Sequence, residues 1–185
     1  MCVGLKTIHF PGYAVQHYLN SFLCDQAMTQ ALETYEQPLV ESGRVQKMFG
    51  SIAHRYDLVN TVLSGGTHYL WRNALLRLVP DDSDASALDV CTGTGDLLPL
   101  LDEKFGFVAG VDFCYPMLSC GMQKKAVKPF PLLQGDALSL PFVDDAFDVI
   151  TIAFGIRNLE NLSAGLLELK RVLRPKGALL ILEFG

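Results

Sequence analysis

Hydrophobic residues cluster in short runs along the second half of the chain, and amphipathic stretches separate these runs. Five runs have the length and composition of buried strands, namely residues 87–91, 107–112, 132–136, 147–153 and 178–184. The stretches between them carry apolar side chains three or four positions apart, as at residues 115–126 and 162–173. Strands that alternate with helices predict an α/β fold, in which helices cover both faces of a mostly parallel sheet.

Helical spacing also marks residues 45–56 and 69–79, and Leu70 and Leu75 belong to the apolar face of the second stretch. Glycines interrupt the pattern between the two stretches. We therefore predict a helical cap over residues 44–80, which precedes the sheet.

A glycine turn follows the first strand-like run. Thr92, Gly93, Thr94 and Gly95 stand between that run and a second apolar stretch that begins at Leu97. Glycine permits a positive φ and lets a ligand approach the backbone closely, and the N-terminus of a following helix offers free N–H groups to a negative group. Ordinary strand-to-helix turns share this pattern, so a second residue has to decide its role.

Asp112 is that residue, because it ends the next strand-like run, 17 positions after Gly95. A carboxylate at this spacing accepts hydrogen bonds from the two hydroxyls of a ribose, which selects a nucleoside. Leu98 occupies the position where the dinucleotide motif has a third small residue. The pattern therefore favours S-adenosylmethionine over a nicotinamide or flavin dinucleotide.

Polar residues and glycines follow several strand-like runs directly. The carboxyl ends of parallel strands meet at one edge of a sheet, and ligands bind in the crevice outside that edge. The residues that we expect there are Gly93, Gly95, Asp112, Asp136 and Arg157. A surface salt bridge at the strand end is the alternative role for Arg157.

Composition limits the class of protein. The 185 residues are 50% hydrophobic and 19% charged with a formal net charge of −5, which is typical of one globular domain and argues against nucleic-acid binding. Five cysteines without a C-x-x-C pair indicate a reducing compartment and no metal site. No apolar run approaches the ~20 residues of a membrane span, so any membrane contact would be peripheral.

Residues 45–184 resemble the ubiquinone/menaquinone biosynthesis C-methyltransferases of the UbiE/MenG type. The most specific matches are the helix around Tyr56 and Asp57 and the segment FGIRN at 154–158. Further matches lie at residues 47–49, 88–96, 111–112, 136–142, 147–148, 171–173 and 182–184. The resemblance implies a Rossmann-like S-adenosylmethionine-dependent methyltransferase domain over residues 44–185, with a nucleoside-binding α/β part at 85–185.

The implied activity is methyl transfer from S-adenosylmethionine to a ring carbon of a polyprenylated quinol. By position, the resemblance assigns to the donor Gly93, Thr94, Gly95, Asp112, Asp136, Ala137 and Ala153, the last standing where the family often has serine. It assigns Arg157, Asn158 and Tyr56 to catalysis on the substrate side. A ring carbon becomes nucleophilic when a neighbouring phenol loses its proton, so a cationic Arg157 would stabilise the phenolate while Asn158 and Tyr56 orient it.

Two other functions stay open on this reasoning. One is a methyltransferase of the same fold that acts on another small molecule, and the other is a non-catalytic form that only binds the donor. The sequence does not separate benzoquinol from naphthoquinol substrates. We expect a cytoplasmic location with peripheral membrane contact, or the mitochondrial matrix in a eukaryote.

The two ends of the chain carry separate expectations. Residues 1–43 show no clear periodicity and form an N-terminal extension of undetermined structure. Relatives continue past the segment 182–184 with the last two strands of the sheet. We therefore expect these two strands to be missing here, either because the chain is truncated or because they are supplied elsewhere. The outer edge of strand 178–184 would then have unpaired backbone groups that drive self-association or bind a partner protein.

Overall fold

The computed structural model describes residues 6–10, 13–19, 41–56, 61–62, 66–78, 81–124 and 129–184. The main elements in chain order are β1 (Lys6–Phe10), β2 (Tyr13–Leu19), α1 (Ser42–Ile52), α2 (Thr67–Leu76), β3 (Asp82–Val90), α3 (Leu98–Asp102), β4 (Phe105–Asp112), α4 (Tyr115–Gln123), β5 (Leu132–Gln134), β6 (Phe147–Ala153), α5 (Leu162–Val172) and β7 (Leu173–Phe184). Short 3-10 helices lie at Ala53–Arg55 and Ile156–Asn158.

The strands form one sheet within these residues, in the spatial order β1-β2-β7-β6-β3-β4-β5. Five neighbouring strands of this sheet, β7, β6, β3, β4 and β5, run parallel to one another. This arrangement confirms the predicted α/β class. β3 begins earlier than the apolar run suggested, because Asp82 pairs with Phe105 in β4. The polar residues 82–84 are therefore part of the strand.

Two hydrophobic clusters lie on the two faces of this sheet. Leu88 and Val90 belong to a cluster with Leu166 and Leu169 of α5, and the neighbouring Ala87 belongs to a cluster with side chains of α2 and α3. Successive residues of a strand point to opposite faces, so both faces of β3 are buried. Helices cover both faces, as predicted.

The prediction of an unpaired outer edge on the last strand is wrong. Residues 13–19 of the same chain, strand β2, pair antiparallel with β7 from Tyr13↔Phe184 to Leu19↔Ala178. β1 then pairs antiparallel with β2. The backbone N–H and C=O groups on that side of β7 thus face a hairpin made from the N-terminal extension. β1 and β2 therefore extend the sheet beyond β7, and the partner that we expected at this edge has no open strand of β7 to bind.

An irregularity near the start of β7 explains why Pro175, Lys176 and Gly177 do not stop the strand. The register with β6 jumps from Phe147↔Leu173 to Val149↔Ala178, so residues 174–177 form an irregular insertion within the pairing. Lys176 has a φ of 70°, in the left-handed region. α5 itself begins at a defined cap, because Asn161 Oδ1 accepts a hydrogen bond of 3.0 Å from the backbone N–H of Ala164.

The two cap helices pack against different elements of the fold. α1 packs against α4, and α2 packs against β7 and α3. The inward face of α2 differs from the one predicted, because Arg72, Leu75 and Leu76 are buried whereas Leu70 is 68% exposed. In the portions of the chain with described structure, every helix is too short or too polar to cross a membrane. Residues 57–60 of the Tyr56 motif lie outside the described residues.

Candidate functional site

The turn after β3 has the backbone geometry that its glycines predict. Gly93 has a φ of 60° and Gly95 a φ of 77°, and Cys91 also lies in the left-handed region with a φ of 56°. A Cβ on Gly93 would lie 3.3 Å from Cε of Met117. The positive φ therefore favours glycine at position 93, and a side chain there would also have to displace the end of Met117 slightly.

Asp112 reaches across from the end of β4 to hold this turn. Its Oδ2 accepts a hydrogen bond of 2.8 Å from the backbone N–H of Gly93, and its Oδ1 accepts one of 2.8 Å from that of Cys114. Burial raises the pKa of the Asp112 carboxyl, and the two backbone hydrogen bonds act in the opposite direction. Each carboxylate oxygen can accept more than one hydrogen bond, so a ligand hydroxyl can bind here without displacing the turn.

Three adjoining cavities surround Cys91 at the carboxyl ends of the strands, with volumes of about 400, 370 and 370 Å³. We name each by a lining residue. The Asp136 cavity is lined by Asp112, Phe113, Asp136, Ala137, Asn158 and Leu159, among others. The Phe49 cavity is lined by Phe49, Tyr56, Gly93, Met117, Ala153 and Asn158, among others. The Arg72 cavity is lined by Tyr56, Arg72, Asp89, Thr92, Thr94 and Asp96, among others.

Most of the residues that the sequence assigned to the site therefore line one crevice. Tyr56, Gly93, Thr94, Asp112, Asp136, Ala137, Ala153 and Asn158 all lie on its walls. Gly95 shapes the turn but is not among the lining residues.

Arg157 is the second exception. It lies in the 3-10 helix after β6 and forms an ion pair with Glu183 of β7, with its side chain 40% exposed. Its guanidinium is thus engaged beside the crevice, as in the salt-bridge alternative, and its catalytic role stays a prediction.

Sequence reasoning missed a charged network in the Arg72 cavity. Arg72 Nη1 donates a hydrogen bond of 3.2 Å to Asp96 Oδ2, and Lys124 Nζ donates one of 2.8 Å to Thr94 Oγ1 and also pairs with Asp96. Burial alone would raise the pKa of Asp96, but Lys124 and Arg72 together hold it below its usual range. The sequence did contain a signal. Arg72 stands three positions before Leu75, and residues three apart share one face of a helix, which is the buried face of α2 in the structure.

Arg72 has spare hydrogen-bonding capacity. Only 7% of the residue is exposed, and its buried Nε has no hydrogen-bond partner among the residues that the structure describes. A buried guanidinium N–H without a partner is costly, so a group that accepts its hydrogen bond would stabilise the site.

Asp89 adds a second buried charge to this cavity. Burial raises the pKa of its carboxyl to about 6. Thr151 Oγ1 donates a hydrogen bond of 2.6 Å to Asp89 Oδ1, which acts in the opposite direction and lowers this pKa. Near neutral pH the Arg72 cavity therefore offers both a cation and an anion.

Burial, helped by neighbouring carboxylates, raises the pKa of Cys91 well above its usual value, so this thiol stays protonated and is not a nucleophile. The described ranges hold no group of His, Cys, Asp and Glu suited to a metal ion.

The model of the ubiE/COQ5 methyltransferase family matches residues 37–185. The chain belongs to this family. Its relatives include the demethylmenaquinone methyltransferase of Thermus thermophilus, 45% identical over 74% of this chain and 64% of the relative, and that of Deinococcus radiodurans, 46% identical over 76% and 60%. This chain thus spans about 60% of the length of the curated relatives that it matches.

Solved structures agree with this family at the level of the fold. The YcgJ protein of Bacillus subtilis is 26% identical with a TM-score of 0.60, over 63% of this chain and 51% of its own. A SAM-dependent methyltransferase of Aquifex aeolicus is 28% identical with a TM-score of 0.55, over 61% and 63%. The resemblance found in the sequence and the Rossmann-like methyltransferase fold are both confirmed.

Proposed function

We propose that this protein binds S-adenosylmethionine and transfers its methyl group to a ring carbon of a polyprenylated quinol. The observation that carries the proposal is the crevice around Cys91, where Asp112 faces the glycine turn beside buried charges of both signs. Relatives named demethylmenaquinone methyltransferase favour a naphthoquinol as the acceptor, and a benzoquinol is the second choice within the family.

The chemistry of the crevice fits each part of the donor. The free lone pairs of Asp112 suit the ribose hydroxyls, and Ala137 and Leu159 offer apolar contact to the adenine in the Asp136 cavity. The amino-acid end of the donor carries a carboxylate and an ammonium group. Arg72 and Asp89 provide one buried partner for each of these charges, so the Arg72 cavity suits this end.

The Phe49 cavity suits the acceptor ring. Phe49, Tyr56, Met117 and Phe154 give it an aromatic and apolar lining. It adjoins both other cavities at Cys91 and the Arg72 cavity also at Gly93. Asn158 donates a hydrogen bond of 3.3 Å to Phe154 O and lies at the border with the Asp136 cavity. Donor and acceptor would therefore meet beside Ala153, which lines both the Phe49 and the Arg72 cavities.

Residues of the chain have two tasks in the reaction. They stabilise the phenolate that makes the ring carbon nucleophilic, and they hold that carbon in line with the methyl group and the sulfur. A carbon–carbon bond forms as the methyl–sulfur bond breaks, the electron pair stays on sulfur, and the ring then loses its proton to restore aromaticity. Tyr56 and Asn158, which line the Phe49 cavity, would orient the ring, and Arg157 would have to turn from Glu183 to approach the phenolate.

A turnover assay tests the proposal. The purified full chain is incubated with methyl-labelled S-adenosylmethionine and a demethylated naphthoquinol with a short, water-soluble prenyl chain. A demethylated benzoquinol and a simple phenol serve as comparison acceptors. We expect carbon-bound label on the naphthoquinol product. Donor binding without transfer to either quinol would favour the non-catalytic function, and transfer to the simple phenol alone would favour another acceptor.

A further inference from the structure

Helix α1 and the 3-10 helix after it have two distinct faces. Val45, Phe49, Ile52, Ala53 and Tyr56 are buried or half-buried on the side of α4. The opposite side is exposed and consists of Arg44, Lys47, Met48, Ser51 and Arg55, which recur every three or four positions. We call this second surface the basic face.

The charge of the basic face is opposite to that of the whole protein. Arg44, Lys47 and Arg55 are cations, and residues 42–56 contain no Asp or Glu, while the chain as a whole has a net charge of −5. Among the residues that the structure describes, none of these three cations has an ion pair or a side-chain hydrogen bond. The three charges are therefore available to an external anionic surface.

The basic face also contains an exposed hydrophobic side chain. Met48 is 51% exposed and lies between Lys47 and Ser51 along the helix. A flexible thioether among cations is suited to the interface of a bilayer, where the charges meet lipid headgroups and the apolar group enters the boundary with the acyl chains.

The position of the helix relates this surface to the site. Phe49 and Tyr56, on the buried side, line the Phe49 cavity. The same short segment thus forms a wall of the crevice with one face and carries the cations on the other.

We propose that the basic face docks on an anionic lipid bilayer. Each Lys or Arg near such a surface contributes about 1 kcal/mol, which is about fivefold in the partition coefficient, so three cations give about a hundredfold at low salt. Salt screens this attraction, so binding weakens as ionic strength rises. Nucleic acid is disfavoured as the partner, because a single helix with three cations on an acidic protein is a small electrostatic footprint.

Vesicle sedimentation with the full chain tests the proposal at low and at high salt. The vesicles consist of phosphatidylcholine alone or of phosphatidylcholine mixed with phosphatidylglycerol. We expect binding only to the mixed vesicles and only at low salt, and a loss of at least tenfold in the double variant Arg44→Glu, Lys47→Glu. The matched control is Arg77→Glu with Lys176→Glu, which reverses the same two charge types at exposed positions outside the basic face. Melting temperatures of both variants are recorded.

Three results would overturn this proposal: no binding of the unaltered chain to mixed vesicles, an equal loss in the control variant, or binding to a DNA duplex that is as strong as binding to the vesicles. The experiment is independent of the proposed function. Turnover of the water-soluble quinol should be unchanged in Arg44→Glu, Lys47→Glu, and absent turnover with normal vesicle binding would contradict only the proposed function.

Discussion

Asp112 and Gly93 are 19 positions apart in the chain, and the carboxylate of the first accepts a hydrogen bond of 2.8 Å from the backbone N–H of the second. This contact ties the end of β4 to the turn after β3. The residue expected to bind the ribose of the donor also holds the loop against which the donor lies, so donor binding and the shape of the turn are coupled through one side chain.

Replacement of this carboxylate should weaken donor binding. In Asp112→Asn one oxygen becomes an amide NH2, which cannot accept a hydrogen bond from a ribose hydroxyl or from a backbone N–H. Hydrogen bonds to charged groups contribute about 1.5–3 kcal/mol, so we expect at least a tenfold weaker affinity for S-adenosylmethionine in calorimetry. Asp145→Asn, at an exposed turn, is the matched control and should bind normally. Unchanged affinity in a folded Asp112→Asn protein would refute the assignment of this strand end.

Gly93→Ala should destabilise the fold. A left-handed backbone costs a residue with a Cβ about 1–2 kcal/mol, and the new methyl group would also meet Met117. Urea denaturation should show a loss of that size or more. Gly43→Ala in the first turn of α1 is the control, because its Cβ would meet no atom within 4 Å and the change should be neutral or slightly stabilising. Equal effects of the two substitutions would contradict this account of the turn.

Arg157→Ala should leave donor affinity near normal and reduce turnover of the quinol. Donor affinity should hold because Arg157 is not among the residues that line the three cavities. Turnover should fall because the proposed reaction uses its guanidinium to stabilise the phenolate. Glu183→Gln separates the two roles of this arginine, because it removes the ion pair but retains the guanidinium. If Arg157 acts only through the ion pair, both variants will lose turnover equally. If donor binding falls as far as turnover in Arg157→Ala, the substrate-side role is wrong.

Asp89 should make stability depend on pH. Its pKa is about 6 in the folded protein against an ordinary 3.8, so between these values the folded state binds more protons than the unfolded state. The free energy of unfolding should therefore fall as pH rises from 4 to 6, by up to about 3 kcal/mol, and level off above 6. Urea denaturation across this range should show a smaller pH dependence in Asp89→Asn, whereas the exposed control Asp84→Asn should behave like the unaltered protein.

Ionisation of the Asp89 carboxyl should also strengthen the binding of the donor. Above pH 6 the Asp89 carboxylate can pair with the ammonium group of S-adenosylmethionine, so affinity should increase as pH rises through 6. Calorimetry on the unaltered chain and on Asp89→Asn measures this directly. A pH-independent affinity in the unaltered chain would show that Asp89 does not face the donor.

Removal of the N-terminal hairpin should expose the outer edge of β7. Residues 13–19 pair with that edge, and an apolar strand with free N–H and C=O groups readily pairs with another chain. Deletion of residues 1–20 should therefore produce self-association in light scattering. Deletion of residues 1–5 alone, which removes no part of β1 or β2, is the control. A monodisperse protein after the longer deletion would mean that the hairpin is not needed to cover β7.

The sequence alone determined the features that depend on local chemistry. The mostly apolar run at 147–153 became β6 with the predicted limits, because a strand covered on both faces is rich in apolar residues. The glycine turn and the spacing to Asp112 located the crevice, because a positive φ and a carboxylate at a strand end are properties of single residues at set intervals. The helical periodicity of residues 45–56 likewise located α1.

The tertiary structure decided which distant residues meet. The pairing of residues 13–19 with β7 joins opposite ends of the chain. The sequence pattern of neither segment predicts which other strand it pairs with. The Arg72–Asp96–Lys124 network and the Arg157–Glu183 pair also join residues at least 24 positions apart. An ion pair depends on where side chains converge in space, and apolar periodicity leaves the rotation of a helix uncertain by about one residue, as α2 shows. Those placements follow only when the sheet and its helices pack together.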